Sequence, residues 1–219
     1  MQTQRTPGRL RFHPLGRREV IARFDGGRIT SDAGGALLRE TDVRLGLMAR
    51  LARCFRDYRN PGSVEHPVHA LVAQRVYALA LGYEDLNDHE DLRRDSLLAL
   101  LVGKGDLTGA GRARLRDRGR PLAASSTLNR LELGGAGAGE DRYKRIVADF
   151  EAMGRLLVDV FLESYADPPG EIWLDLDATD DPLHGRQEGR FFHAYYGHYC
   201  YLPLYIFCGA HLLLSLIHI

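Results

Sequence analysis

Two aspartates, Asp175 and Asp177, stand two residues apart in the segment Glu171-Ile-Trp-Leu-Asp-Leu-Asp-Ala-Thr-Asp-Asp181. Along a strand, side chains alternate between faces. Asp175 and Asp177 therefore share a face with Trp173 and Thr179, and Ile172, Leu174 and Leu176 share the other. A buried strand with acids on one face is costly unless the acids are paired or bind a cation. Hard oxygen donors on a rigid strand suit Mg²⁺ or Mn²⁺, and such ions support in-line phosphoryl transfer. Asp177, at the strand end, is the expected first metal ligand. Asp175 is the expected second metal ligand. Asp180-Asp181-Pro182 reads as a turn behind them.

Other residues invite chemistry with a plainer reading beside it. His184, His193, His198 and His211 match no zinc-ligand spacing, so hairpin or core histidines are expected. Tyr195-Tyr-Gly-His-Tyr199 suits either base stacking or packing in a sheet. Arg112, Arg114, Arg116, Arg118 and Arg120 alternate through a Gly- and Arg-rich stretch, 103–121, that reads as an exposed, solvated loop. Such a loop holds backbone phosphates without reading sequence. Thr127, Asn129 and Arg130 follow on a short helix and are expected to reach a DNA groove. Cys54, Cys200 and Cys208 lack CxxC spacing and read as buried thiols.

The elements that must position these groups change character along the chain. Val20–Phe24 reads as a short strand before an Asp25-Gly-Gly turn. Ser31 is a plausible cap for a helix towards Leu45. Pro67 opens a helix that Gly82 ends, and Asp95 caps another ending at Gly103. After the glycine-rich stretch 134–139, a long amphipathic helix is expected, with Tyr143, Ile146, Val147, Phe150, Leu157, Val160 and Phe161 on its apolar stripe. Asp167-Pro-Pro-Gly170 ends it and divides the chain into 1–166, mainly helical, and 167–219, mainly strands. From Phe191 onward there is no Asp, Glu, Lys or Arg. Histidines, tyrosines, Gly209 and Pro203 in that stretch favour two buried strands with a turn at Gly209 over a membrane span.

The formal net charge is zero, with 29 acids and 29 Lys plus Arg. Residues 167–219 hold seven of those acids and two of the bases, so residues 1–166 are left mildly basic. That asymmetry suits a DNA-gripping part joined to a metal-binding part, although a surplus of this size is also ordinary. Lys104 and Lys144 are the only lysines. The N-terminus has no apolar signal core, which leads to the expectation of a cytoplasmic, nucleoid-associated protein.

Asp177-Ala-Thr-Asp-Asp-Pro-Leu-His-Gly185, Gln187-Glu-Gly189 and Phe191-Phe-His-Ala-Tyr-Tyr-Gly-His-Tyr-Cys-Tyr-Leu-Pro-Leu-Tyr-Ile-Phe207 together resemble the first catalytic strand and following hairpin of DDE insertion-sequence transposases, group one. Arg28-Ile-Thr-Ser-Asp-Ala-Gly34, Gln74–Asp88 and Ser126–Glu132 are similar to that group in content and order. The resemblance implies a helical DNA-binding part followed by the first strands of a ribonuclease-H-like domain, an α plus α/β architecture. It implies that Asp177 is the first catalytic carboxylate, bridging two ions of Mg²⁺ or Mn²⁺, with insertion-sequence ends as the partner and assembly of copies on DNA. Such a site also needs a second aspartate and a glutamate downstream. After Asp181 the only acid is Glu188. A truncated, catalytically inactive chain is therefore expected, with an unpaired apolar edge at 204–207. The alternatives are a non-catalytic DNA-binding remnant and an unrelated metal-dependent nuclease.

Overall fold

The computed structural model describes residues 8–26, 29–133, 145–183, 185–186 and 189–216. Arg28, the 134–139 glycine stretch, Tyr143, His184, Gln187, Glu188 and the last three residues lie outside that set. The chain forms two compact units, Met1–Ala148 and Asp149–Ile219. They part upstream of the composition break at 167–170. Helices prevail in the first unit and antiparallel strands in the second.

The first unit opens with a hairpin, β1 (Arg9–Leu15) and β2 (Arg18–Arg23). Sequence pattern pointed only to the second strand. Arg39 is buried and donates to the carbonyls of His13 (2.7 Å) and Pro14 (3.1 Å), tying the hairpin to α1 (Gly35–Leu45). The next elements are α2 (Leu47–Ala52), β3 (Phe55–Asp57), α3 (Val68–Ala80), α4 (His89–Leu92), α5 (Ser96–Leu101), α6 (Ser125–Glu132) and β4 (Ile146–Ala148). The helix ends follow local chemistry. Pro67 occupies the N-cap of α3, and Gly82 just beyond its end has φ +94°. The Asp95 carboxylate accepts from the Leu98 N–H at 2.7 Å and so caps α5. Leu71, Ala78, Ala99, Leu122 and Leu128 are fully buried in the core around α3.

Ile146 and Val147 were expected on a helix. They form β4 instead, paired antiparallel with β3 through Arg56↔Val147. The helix begins only at Phe150, where Asp149 accepts from the Ala152 N–H at 2.9 Å. An apolar run this short cannot reveal its own period, and a distant partner strand decides it.

The second unit starts with that helix, α7 (Phe150–Glu163). After eleven intervening residues come β5 (Asp175–Ala178), β6 (Asp181–Pro182), β7 (Phe191–His193), β8 (His198–Tyr201), β9 (Leu204–Cys208) and β10 (His211–Leu216). One sheet has the order β10-β9-β5 and another β6-β8-β7. α7 packs on β10, with Phe161 edge-on to His211 at 5.5 Å between ring centroids. The turn at Gly209 (φ +58°) joins β9 and β10 as expected. The strands are half-buried rather than buried, and the stretch 204–207 is not an unpaired edge: β9 is the central strand, paired on both sides.

Candidate functional site

The register of the second unit shows what its two sheets are. β5 pairs with β9 through Asp175↔Phe207, Asp177↔Tyr205 and Ala178↔Leu204. β6 pairs with β8 through Asp181↔Tyr201 and Pro182↔Cys200. Two residues separate Ala178 from Asp181, and two separate Tyr201 from Leu204. The two pairings are thus one antiparallel ladder in one register, bent at a corner. Pro203, which has no N–H, stands at that corner. Its carbonyl accepts from the Thr179 N–H at 3.0 Å, the one backbone bond recorded there.

Alternation along this ladder sorts the donors. Asp175 and Asp177 fall on one face with Tyr205 and Phe207. Asp180, His198 and Cys200 fall on the other. All four residues of β5 are exposed, as is Trp173 at 76%. The expectation of a buried strand is therefore corrected: the four-residue strand is solvated, so burial does not force its acids to pair. Among the described residues neither Asp175 nor Asp177 has a hydrogen-bond or ion-pair partner.

The opposite face is occupied differently. His198 Nε2 lies 2.9 and 3.1 Å from the two Asp180 oxygens. Cys200 is fully buried. Desolvation holds its thiol above the usual range, helped by the Asp180 carboxylate that accepts from it. Donor atoms of Asp180, His198 and Cys200 lie within 4.8 Å of one another. This is the one convergent group of three donors among the described residues, and sequence reading assigned it to a turn and a hairpin histidine. The signal available was His198-Tyr-Cys200, an i, i+2 pair that a strand places on one face.

The tip of the β7–β8 hairpin, 194–197, presents Tyr195 to solvent at 85% exposure, and Tyr196 stacks towards His198 at 6.0 Å between centroids. Arg190 lies 4.2 Å above the Tyr199 ring.

In the first unit, the 103–121 stretch is a built loop rather than a loose one. Asp106 accepts from the N–H groups of Thr108, Gly109 and Gly111 at 2.8–3.0 Å. Gly109 has φ +68°, and a Cβ there would meet the Arg120 and Pro121 nitrogens at 2.7 Å, so only glycine fits. Arg112 turns inward, donating to Glu65 (3.0 Å), to His66 Nε2 (2.9 Å) and to the Arg120 carbonyl (3.1 Å). Arg120 is half-buried, whereas Arg114, Arg116 and Arg118 face solvent. On α6, Leu128 and Leu131 are buried, while Asn129 and Arg130 are exposed. Thr127 and Arg130 line a groove of about 360 Å³ with Arg59, Asn60, Ser63 and Arg145. Asn129 does not line it.

The segments that carried the family resemblance meet each other in this unit. The Tyr83 hydroxyl donates to Asp32 at 2.9 Å. Arg75 pairs with Glu132 and donates to the carbonyls of Tyr83 and Glu84. Gln74 donates to the Ala123 carbonyl (3.0 Å) and accepts from its N–H (2.9 Å). The same amide nitrogen lies 3.1 Å from His89 Nδ1. Donation from the amide leaves the His89 proton on Nε2, which is buried without a partner. Burial pushes His89 down to about 4, and burial with Lys104 and Arg112 nearby pushes His66 down to about 3.

Residues 12–217 match the model of the transposase DDE domain, group 1. The chain belongs to that family. Searches of curated proteins and of solved structures return no match. Membership points to transposition, to DNA as the partner and to dependence on divalent metal, as is general for DDE transposases. No helix among the described residues is long and apolar enough to cross a membrane.

Proposed function

We propose that this chain supplies the DNA grip and the first catalytic carboxylate of a transposase that cuts and rejoins insertion-sequence ends. One observation carries the reading. Asp175 and Asp177 are side by side on one exposed strand face, within the family-matching segment, and the described fold makes no use of them. Acids kept free of partners on a strand are suited to a ligand from outside.

Asp177 is the catalytic carboxylate in this reading and Asp175 the adjacent ligand. Their oxygens fit Mg²⁺ or Mn²⁺ in donor type. When bound, such ions activate the attacking hydroxyl and stabilise the leaving oxygen. The antiparallel sheet β10-β9-β5 fits the expected first strands of a ribonuclease-H-like sheet. The described residues bring no third donor to the two acids, so the family's further aspartate and glutamate must come from other elements.

DNA contact falls to the first unit. Arg114, Arg116 and Arg118 are exposed towards phosphates, with Arg116 beside Asp117 (3.9 Å) and Arg118 donating to the Arg112 carbonyl (3.4 Å), and the Arg59, Thr127, Arg130 and Arg145 groove offers a second basic surface. Arg112 and Arg120 support the loop from within. Several copies on paired element ends fit this reading, each presenting its own Asp177.

The test is strand cleavage at element ends by a protein carrying this segment together with the further Asp and Glu. Asp177→Asn is expected to abolish Mg²⁺-dependent cutting while leaving DNA binding intact, with Asp175→Asn less severe. Cutting that survives Asp177→Asn would remove Asp177 from the mechanism.

A further inference from the structure

We propose that Asp180, His198 and Cys200 form a binding site for one transition-metal ion of the zinc class, on the ladder face opposite Asp175 and Asp177. The inference does not rest on the transposition reading. It rests on three donors of different chemistry converging at one place. Asp180 directly precedes β6. His198 and Cys200 stand two apart on β8. The shared register of the ladder brings all three to one face.

Donor type decides which ion fits. A thiolate and an imidazole favour Zn²⁺ or Co²⁺, whereas Mg²⁺ prefers oxygen and retains its waters. Bonds of about 2.0–2.3 Å in a tetrahedron place ligand atoms about 3.3–3.7 Å apart. The donors here lie within 4.8 Å of one another, and His198 Nε2 and Asp180 Oδ2 are 2.9 Å apart. The needed adjustments are therefore of the size that side-chain torsions supply. Binding costs the Cys200 thiol its proton, released to solvent, and moves the imidazole N–H from Nε2 to Nδ1.

A second observation points the same way. His193 is directly opposite His198 in the β7–β8 ladder, so it shares that face. Its Nδ1 is buried and has no hydrogen-bond partner. A buried imidazole nitrogen without a partner is an anomaly in a folded chain, and here it stands beside a three-donor cluster. Its donor atoms are not among those within 4.8 Å of one another, so His193 becomes the fourth ligand by a side-chain rotation, and a water takes that position otherwise.

The location gives the site its effect. The ladder is weakest at its corner, where Pro203 removes a rung. An ion held by Asp180 on one strand and by His198 and Cys200 on the other fastens the two strands just beyond that gap. It thereby fixes the direction in which β5 leaves the corner.

The experiment is a Co²⁺ titration of the metal-free 219-residue chain. The expected result is one ion per chain, with a sulfur-to-cobalt charge-transfer band and tetrahedral ligand-field absorption. One equivalent of Zn²⁺ should erase both, and a large excess of Mg²⁺ should not. Cys200→Ser should remove the charge-transfer band, and Cys54→Ser and Cys208→Ser should keep it. Cys200 is fully buried, so Asp180→Asn serves as a second variant with folding checked by circular dichroism. It should weaken Co²⁺ binding at least about tenfold. Asp177→Asn should leave the titration unchanged, which separates this site from the proposed catalytic one. Absence of a thiolate band, its survival in Cys200→Ser, or unchanged affinity in Asp180→Asn would overturn the proposal.

Discussion

The two units treat their signature residues in opposite ways. In the first, Asp32, Gln74, Arg75, Tyr83 and Glu132 bind one another and the backbone between elements. In the second, Asp175 and Asp177 bind nothing described. A family motif can thus be tied into the scaffold in one part of a chain and left unpaired in another. Burial and partners tell the two apart, whereas residue type does not.

The sharpest way to break that comparison is a matched pair of substitutions. Gln74→Leu strands the Ala123 N–H and carbonyl in the core, and each buried unpaired group costs about 1–3 kcal/mol. Urea unfolding should show the first unit clearly destabilised. Asp177→Asn on an exposed strand should shift stability by no more than about 0.5 kcal/mol. A large loss of stability in Asp177→Asn would make it a structural residue like Gln74.

Acid should act on the first unit in the same direction. His89 and His66 are neutral in the fold, held down to about 4 and about 3 from an ordinary 6.5. The unfolded chain takes up protons as pH falls below about 6.5, and the folded chain does not until much lower. Stability from these groups is therefore complete above pH 6.5 and lost as pH falls towards 4. For His89 the full span is worth about 3 kcal/mol. Urea midpoints that do not fall between pH 7.5 and pH 5 would contradict the buried, neutral histidines. His89→Gln, which cannot take up a proton, should flatten part of the fall.

The smallest expected effect divides the loop arginines. Alanine at Arg114, Arg116 and Arg118 should lower the salt dependence of duplex DNA binding by at most about three units of slope, near 0.9 per phosphate contact. Stability should stay the same. Arg112→Ala should do the reverse, weakening the fold because Glu65 and the Arg120 carbonyl lose their donor. Equal salt slopes for the triple variant and the parent chain would remove the loop from the DNA interface.

Local signals carried much of this structure in the sequence. Pro67, Gly82, Asp95 and Gly209 mark element ends by their own backbone chemistry, and each stands where that chemistry requires. Pairing between distant segments was not legible. Ile146 and Val147 read as helix because β3, almost ninety residues earlier, leaves no trace near them. Arg112 read as exposed because a charge pattern cannot show which arginine the exposed Glu65 and the buried His66 will take. The Asp180, His198 and Cys200 group escaped for a related reason. Only a fixed ladder register unites residues eighteen positions apart, and Pro203 hides the continuity of that register.

The order β10-β9-β5 has a dynamic consequence. β9 is held by a ladder on each side, and β5 by one. Opening β5 therefore breaks a single set of rungs, while releasing β9 dissolves the sheet. Amide hydrogen exchange should be slowest in β9 and faster in β5. The strand bearing Asp175 and Asp177 is then an edge of its sheet that a bound ion, a neighbouring strand or DNA can reposition at less energetic cost than β9.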